Sequence, residues 1–352
     1  MDRATVEVYE RRAVEWAEKR SPLHRDRAAS LAAGAVGGLA VADLGCGPGN
    51  YLADLGPRAV GVDAAAAMLA IAGPAARRVQ ADIEALPLRD RCLGGVWASN
   101  SYLHVPRTRL PLALARLHWA MAVGAPLTIS GVQGDGEGHD WPGDDFPGRF
   151  FTRWQPDGLR ALLTGAGFDV GDVTVEGERV WAEARRARTL PDTVAAGQRV
   201  LVCGLNPSVV AADAGYGFAG PSNRFWRAAV VSGLVTRPRD PLGCAVDDGV
   251  GMTDMVKRAT PNAAVLTIEE YRAGADRVRR LVEWLHPQLV LFVGLAGWRA
   301  AVDRTAVAGL QRCGFGGAPA YVMPSTSGLN AHSTPTSLAA HMADALAALG
   351  AA

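Results

Sequence analysis

The sequence predicts an α/β protein with two domains, each organised around a mainly parallel β-sheet. The chain has 352 residues, and at about 150 residues per domain this length favours two domains. Short apolar runs rich in β-formers alternate with amphipathic stretches in two separate series, as in βαβ units. The stretch TLPDTVAAGQ is small, polar and contains proline. We therefore expect a linker at 189–198, between domains at 1–188 and 199–352.

Composition is that of a globular protein, with 49% hydrophobic and 20% charged residues and a net charge of +1. No apolar run approaches the roughly 18 residues that span a bilayer, and the start MDRATVEVYERRAVEW is too charged for a signal peptide. We therefore expect no membrane partner and a cytoplasmic location, associated with the nucleoid if the protein is bacterial. The five cysteines lack a Cys-x-x-Cys pair, so neither disulfides nor a metal site are expected.

The first series of predicted strands starts near Leu39. Its members are LAVADLG, AVGVD, RRVQAD, GGVWASN and PLTISG. The series closes with FDVGDVTVEGERVWAEARR, in which two β-patterned runs flank a predicted turn at Gly177–Glu178. The pattern predicts a parallel sheet that is completed by a terminal antiparallel pair.

A glycine-rich turn follows the first predicted strand, with Gly45, Gly47 and Gly49 in VADLGCGPGN. Glycines at a strand-to-helix turn let the backbone approach a ligand closely above a helix amino terminus. Asp63 ends the next strand, where a carboxylate can accept both hydroxyls of a ribose. Asp82 ends the third strand and can accept a hydrogen bond from an adenine amino group. The Gly-x-Gly-x-Gly spacing differs from the dinucleotide pattern, which disfavours NAD.

These features resemble the class I S-adenosylmethionine-dependent methyltransferases, in particular the type 11 group. The resemblance covers about residues 8–187 and includes DLGCGPG, VGVD, ADIEALPL and FFTRWQPDGLRALLTGAGFDV. It implies a Rossmann-like domain with S-adenosylmethionine as its cofactor. The residues that it implies for cofactor binding are Asp43, Gly45, Gly47, Gly49, Asp63, Asp82, Ile83 and Ser99.

The methyl acceptor stays open at this stage. After the fourth strand the chain reads SNSYLHVP, with neither the Asp/Asn-Pro-Pro-aromatic motif of base N-methylases nor the Pro-Cys of cytosine-C5 enzymes. Tyr102 and His104 in this stretch could orient or deprotonate an acceptor, or could form a packed pair. The segment 134–145, GDGEGHDWPGDD, lacks the regular spacing of a calcium loop and favours a lid over the acceptor pocket.

The second series of predicted elements starts at RVLVCG, residues 199–204. It continues with a helix from about Ser222, a helix from Thr267, strands at 288–294 and 320–324, and a helix from about Thr336. Thr267 followed by Glu270 three residues later is a capping-box pattern. The second half therefore predicts another α/β domain with a central parallel sheet.

Asn206 directly follows the first strand of this second series, in the sequence GLNPS. A side-chain amide is neither a strong base nor a nucleophile, but it can hold and orient a water molecule. An oriented water suffices when the transition state is already cationic, as in cleavage of the N-glycosidic bond of a deoxynucleotide. The alternative is that Asn206 only caps a turn.

Two further segments fit that chemistry. Phe218 could stack on an extruded base or pack in the core, and Asn223 in GPSNRFW offers a second amide. The loop MPSTSGLNAHS is rich in small residues, which allow backbone amides to reach phosphates. Leu329 in it could fill the space left by a flipped base, or could fold back onto the core.

Five ordered blocks in about 198–350 resemble the mismatch-specific uracil-DNA and thymine-DNA glycosylases: CGLNPS, GYGFAGPSNRFW, GVGMTDMVKRATP, VLFVG and YVMPSTSGL. The resemblance implies a uracil-DNA-glycosylase-like α/β domain without a cofactor, whose partner is double-stranded DNA with a mismatched or damaged base. It implies Asn206 as the catalytic residue. It implies base binding by Gly204, Leu205, Ser208, Phe218 and Asn223. It implies a DNA wedge loop of Ser325, Thr326, Ser327, Gly328 and Leu329.

Two departures from the family pattern concern base specificity. Ser208 stands where glycine is usual, and Ser325-Thr326 replace the Asn-Pro of the uracil branch. The chain has only two lysines, Lys19 and Lys257, so Schiff-base lyase chemistry is not expected. Two alternatives stay open: a second domain that binds lesions without cleavage because Ser208 blocks the pocket, or methyl transfer to a base, RNA or small molecule as the main activity.

Overall fold

The computed structural model describes residues 1–73, 76–139 and 141–350. The chain forms two compact units, Met1–Ala187 and Arg188–Ala352. Among the described residues, no helix combines the length and the apolar character that crossing a membrane requires.

The first unit is a nine-stranded mixed sheet with helices. Its helices are α1 (Arg3–Lys19), α2 (Arg25–Ala33), α3 (Ala66–Ile71), α4 (Leu110–Ala120) and α5 (Pro156–Gly165). Its strands are β1 (Ala40–Leu44), β2 (Ala59–Asp63), β3 (Arg78–Gln80), β4 (Leu93–Ser99), β5 (Pro126–Gln133), β6 (Glu137–Gly138), β7 (Phe151–Trp154), β8 (Phe168–Glu176) and β9 (Arg179–Arg186).

The central strands run parallel in the order β3-β2-β1-β4-β5. β1 and β4 are almost continuously apolar and buried, as expected for parallel strands that are covered on both faces. The antiparallel hairpin of β8 and β9 joins the sheet through β5, which confirms the predicted terminal pair. The strand order reverses between β1 and β4, and ligands of open α/β sheets bind at such a reversal.

The second unit is a five-stranded sheet with helices around it. Its helices are α6 (Val209–Ala214), α7 (Phe225–Val231), α8 (Pro241–Val246), α9 (Ile268–Leu285), α10 (Leu295–Ala301) and α11 (Pro335–Ala347). Its strands are β10 (Val200–Gly204), β11 (Val250–Asp254), β12 (Val290–Val293), β13 (Gly309–Leu310) and β14 (Ala320–Met323).

The sheet order is β11-β10-β12-β14-β13, and among the described strands of this sheet only the short β13 is antiparallel to its neighbour. β10 alternates between two cores: Val202 packs with Phe225 on one face, and Leu201 packs with Val278 on the other. The predicted parallel sheet is therefore confirmed. The predicted capping box is present as well, because the Thr267 hydroxyl accepts from Glu270 N at 3.2 Å and the Glu270 carboxylate accepts from Thr267 N at 2.8 Å.

The segment 189–198 differs from the linker that its composition predicts. Thr193 exchanges two backbone hydrogen bonds with Met252 of β11, at 2.9 and 3.1 Å. Asp192 is buried and accepts hydrogen bonds from Lys257 at 2.9 Å and from Arg277 at 2.6 Å. A buried carboxylate with two cationic partners is held firmly, so this segment is an integral part of the second unit.

Candidate functional sites

A cavity of about 330 Å³ lies at the carboxyl ends of the central strands in the first unit. Its wall includes Asp43, Gly45, Gly47, Asp63 and Ser99 from the predicted cofactor set. The other three members of that set, Gly49, Asp82 and Ile83, are not part of the wall. The cavity lies where the strand order reverses, which is the place expected for a nucleoside ligand.

The turn after β1 depends on glycine. Gly45 has φ +70° and Gly49 has φ +83°, a region that side chains rarely adopt. A Cβ on Gly45 would collide with Ser101, and one on Gly49 would lie 2.9 Å from the Leu52 side chain. The turn can therefore follow this path, with Gly45 at the cavity wall, only because these two positions carry no side chain.

Asp63 is fixed by two backbone amides. Its Oδ2 accepts from Gly47 N and its Oδ1 from Ala65 N, both at 2.8 Å. These bonds connect the end of β2 to the glycine turn and orient the carboxylate. Each oxygen keeps a second lone pair, so the carboxylate can still accept hydrogen bonds from a ligand in the cavity.

Asp43 presents a buried carboxyl group that lacks a partner. The residue is 2% exposed, and its Oδ2 has no hydrogen-bond partner among the described residues. Burial, and secondly the neighbouring charge of Asp63, raise the pKa of Asp43 to about 8. A ligand with an amino group would supply the donor that this oxygen lacks.

Asp82 makes contacts that the sequence did not predict. Its two oxygens accept hydrogen bonds from the amino group of Met1, at 2.7 and 2.6 Å, and Met1 itself lines the cavity. Ile83 beside it is buried. The adenine contact that we expected for Asp82 stays a prediction.

His104 belongs to a hydrogen-bonded chain at the cavity wall. Its Nδ1 lies 2.6 Å from the Phe150 carbonyl oxygen, and its Nε2 lies 2.9 Å from the Tyr9 hydroxyl. The carbonyl requires a proton on Nδ1, so Nε2 accepts from Tyr9, which in turn accepts from Arg149 at 2.8 Å. Burial lowers the pKa of His104 to about 4, so the ring is neutral.

The sequence did not reveal Tyr9 or Arg149, since they lie far from His104 along the chain. Tyr102, considered with His104, is buried and is not part of the cavity wall. Trp141, from the segment 134–145, does line the cavity, as do residues 143–145. Asp140 of the same segment lies outside the described residues. The lid function of this segment stays a prediction.

Asn206 follows β10 in the second unit and is oriented by its own amide group. Its Nδ2 donates to the Thr260 hydroxyl at 2.8 Å and lies 3.0 Å from the Arg258 carbonyl oxygen. Oδ1 accepts no hydrogen bond from any described residue. The amide is therefore held by its donor end, and its acceptor end is left for a water molecule.

Phe218 lies next to the same loop. Its ring stacks on Phe225 with centroids 3.9 Å apart and an angle of 15°. Its Cζ is 3.6 Å from the point where a Cβ on Gly204 would lie. One face of the ring therefore packs on the core, and stacking on a base would use the other face.

Ser208 caps a helix, and Asn223 accepts a backbone hydrogen bond just before another helix. The Ser208 hydroxyl accepts from Ala211 N at 3.1 Å at the start of α6. Asn223 Oδ1 accepts from Phe225 N at 3.0 Å at the start of α7. The hydroxyl that replaces the usual glycine is thus engaged in capping, a typical role of serine.

The predicted wedge loop projects a leucine into solvent. Leu329 is 91% exposed, whereas Thr326 in the same loop is buried. Arg224 organises the loop from within, since its guanidinium donates to the carbonyl oxygens of Ser327, Asn330 and Ser333. The leucine therefore does not fold back onto the core. Ser325 contributes as well, because its hydroxyl accepts from Ser327 N at 3.3 Å.

Asp254, the last residue of β11, was not identified from the sequence as part of the site. It pairs in register with Gly204, and burial raises the pKa of its carboxyl group to about 6. Nearby Lys257 is ion-paired with Asp192. The signal that could have located Asp254 is its place at the end of GVGMTD, which is a parallel strand beside β10.

Comparisons with known proteins assign both units. Residues 191–350 match the model of the uracil DNA glycosylase superfamily. Residues 41–124 match the model of a methyltransferase domain.

Several solved structures resemble part of the chain. A protein described as S-adenosylmethionine dependent, from Mesorhizobium loti, is 21% identical over 46% of this chain and 100% of its own, with a TM-score of 0.37. The DhpI complex with SAH is 22% identical over 52% of this chain and 96% of its own, with a TM-score of 0.42. The CcbJ methyltransferase from Streptomyces caelestis is 17% identical over 53% of this chain and 100% of its own, with a TM-score of 0.43.

The two family matches follow one another along the chain and agree with the two compact units. The protein therefore joins a Rossmann-like methyltransferase domain to a carboxyl-terminal domain of the uracil DNA glycosylase superfamily.

Proposed function

We propose that the second unit is a monofunctional DNA glycosylase that hydrolyses the N-glycosidic bond of uracil, or of a related damaged pyrimidine, in mismatched duplex DNA. The observation that carries this proposal is the fixed amide of Asn206. Its donor end is bound to the loop of Thr260 and Arg258, and its acceptor end is open. The family match to 191–350 supports the reaction class.

Asn206 Oδ1 would accept a hydrogen bond from the attacking water and direct its lone pair at C1′ of the sugar. The amide does not need to remove a proton early, because the sugar already carries positive charge in the transition state. Lys257 is held by Asp192 at 2.9 Å, so its amine is not available for a Schiff base. Water is therefore the nucleophile in this proposal.

Two other features support a base-flipping reaction. Phe218 rests on Phe225 and would complete a stack of base, Phe218 and Phe225. Leu329 is exposed on a loop that Arg224 holds in shape, and it would fill the gap in the duplex. Ser208 caps α6, which favours cleavage over the alternative of a blocked pocket that only binds lesions.

The test is excision from duplexes that carry a single G·U, G·T or A·U pair, followed by hot alkali to cut at abasic sites. We expect the largest yield from G·U. Release of the free base without strand cleavage before the alkali step would identify hydrolysis rather than lyase chemistry. Tight G·U binding without any abasic sites would instead support the lesion-binding alternative.

For the first unit we propose S-adenosylmethionine as the cofactor. The cavity fits it, because the unpartnered Oδ2 of Asp43 needs a donor and the turn at Gly45 and Gly47 leaves room for the ligand. Asp63 would hold the ribose. When bound, this cofactor supplies an electrophilic methyl group. Calorimetric titration with S-adenosylhomocysteine tests the site without any knowledge of the methyl acceptor.

A further inference from the structure

Asp254 lies at the edge of the sheet where the glycosylase residues converge. It is the final residue of β11, paired in register with Gly204 at the end of β10. A methyl group on Gly204 would collide with Asp254 Oδ1 and would lie 3.6 Å from Phe218 Cζ. The carboxyl group and the phenyl ring therefore both border the glycine that leads into Leu205 and Asn206.

The carboxyl group of Asp254 has no partner. Its oxygens accept no hydrogen bond and form no ion pair among the described residues, although the residue is only partly exposed. The two nearby cations are engaged elsewhere, since Lys257 and Arg277 both pair with Asp192. Arg277 also contacts Asp254, but at its backbone oxygen, at 2.7 Å. A polar group in such a position is open to a ligand.

We propose that Asp254 contacts the extruded base, and that in its protonated form it donates a hydrogen bond to a carbonyl oxygen of the pyrimidine. This inference rests on the proposed glycosylase function and deepens it, because it names a second side chain of the base pocket. The class of ligand is a pyrimidine with a carbonyl oxygen at its edge, such as uracil.

The chemistry favours the protonated form. The C1′–N1 bond breaks and its electron pair leaves with the base, so negative charge spreads onto the carbonyl oxygens. Water forms the new C1′–O bond and loses its proton to solvent. A neutral carboxyl group stabilises the departing anion by donation and keeps its own proton, whereas an ionised carboxylate repels the anion.

The surroundings of Asp254 allow such a proton to be present. Burial is the largest cause that raises the pKa of Asp254, to about 6. Asp192 raises the pKa as well, Lys257 and Arg277 lower it, and the buried Cys203 thiol on β10 is a further titratable neighbour. Above pH 6 the protonated fraction falls by about tenfold per pH unit. Excision should therefore slow as the pH rises.

The test compares single-turnover excision from a G·U duplex between pH 5.5 and 8.5 for the full-length protein, Asp254→Asn and Asp276→Asn. Asp276 is an exposed acid on α9 and serves as the matched control. The asparagine amide always offers a donor, so Asp254→Asn should lose the pH dependence above pH 6 and should exceed the wild type by about tenfold or more at pH 8. Asp276→Asn should follow the wild type. The same slope in Asp254→Asn as in the wild type would overturn the proposal.

A second measurement decides the inference even if no duplex is cut. The carboxyl pKa of Asp254 is measured by ¹³C NMR, free and with a duplex whose 2′-fluoro uridine resists cleavage. We expect the pKa to rise when the base is bound, and an unchanged pKa would overturn the inference. Absence of excision by the wild type at every pH would count against the glycosylase proposal, and the titration would still judge the role of Asp254.

Discussion

The amide of Asn206 donates a hydrogen bond to the Thr260 hydroxyl at 2.8 Å, and this bond connects the loop after β10 to the loop after β11. A backbone bond from Thr260 N to the Pro207 carbonyl oxygen, at 3.1 Å, supports the same connection. Asn206 thus receives its orientation from a residue 54 positions later in the chain.

This relationship predicts a role for Thr260 in positioning Asn206. Thr260→Val keeps the shape but removes the acceptor, so it should slow excision by about fivefold, equivalent to about 1 kcal/mol. Thr260→Ser keeps the hydroxyl and should retain most of the activity. Single-turnover rates on a G·U duplex check both variants. A wild-type rate for Thr260→Val would show that the amide is oriented by other contacts.

Leu329 should matter for base extrusion and not for stability, because it is 91% exposed. Leu329→Ala should reduce the excision rate on the order of tenfold, since the gap in the duplex would stay unfilled. Leu310→Ala is the matched control, because Leu310 is also a largely exposed leucine of the second unit. The fluorescence of 2-aminopurine next to the G·U pair reports extrusion directly. Equal 2-aminopurine fluorescence with the two variants would show that Leu329 does not act as the wedge.

Asp63→Ala should weaken binding of S-adenosylhomocysteine by on the order of 1–3 kcal/mol, because ribose contacts are lost. The variant also loses the two hydrogen bonds, both 2.8 Å long, that Gly47 N and Ala65 N donate to the Asp63 carboxylate in the wild type. Asp54→Ala, which removes an acid paired with Arg25, is a suitable control in the same unit. Calorimetry compares the three proteins. An unchanged dissociation constant for Asp63→Ala would place the ribose elsewhere.

Asp43 predicts a pH dependence of stability. An Asp ionises near its ordinary pKa of 3.8 in the unfolded chain, but only near 8 in the folded protein. The folded state therefore binds more protons between these values, and the free energy of unfolding falls as the pH rises from about 4 to about 8. The slope is at most about 1.4 kcal/mol per pH unit.

Scanning calorimetry of wild type and Asp43→Asn between pH 5 and 8 tests this prediction. The neutral asparagine should lose the pH dependence, and its advantage over the wild type should grow toward pH 8. The same dependence of stability on pH in both proteins would mean that Asp43 ionises near its ordinary pKa in the folded state, because a neighbouring group stabilises its charge.

The strands of both units could be predicted because buried parallel strands are short, nearly continuous apolar runs. β1 and β10 are of this kind. β11 was missed as a strand because Gly251, Thr253 and Asp254 interrupt its apolar pattern. It still forms, since its backbone pairs with β10 over five residues.

The linker and part of the sites could not be predicted, since they depend on contacts between distant residues. The sequence suggests that Asp192 is an exposed polar residue. In the fold it is buried, because Lys257 and Arg277, 65 and 85 residues further along the chain, pair with it. Tyr9 contacts His104 across 95 residues. Ser208 looked like an obstacle in the pocket, and only the structure shows that its hydroxyl caps α6.

The role of Asn206 is tested by the yield of abasic sites from a G·U duplex with wild type, Asn206→Ala and Asn262→Ala. Asn262 is an exposed asparagine of the same unit that caps a short turn of helix. Wild type and Asn262→Ala should produce abasic sites at G·U, whereas Asn206→Ala should bind the duplex but leave the uracil in place. Equal yields from wild type and Asn206→Ala would contradict the assignment of Asn206 as the residue that positions the water.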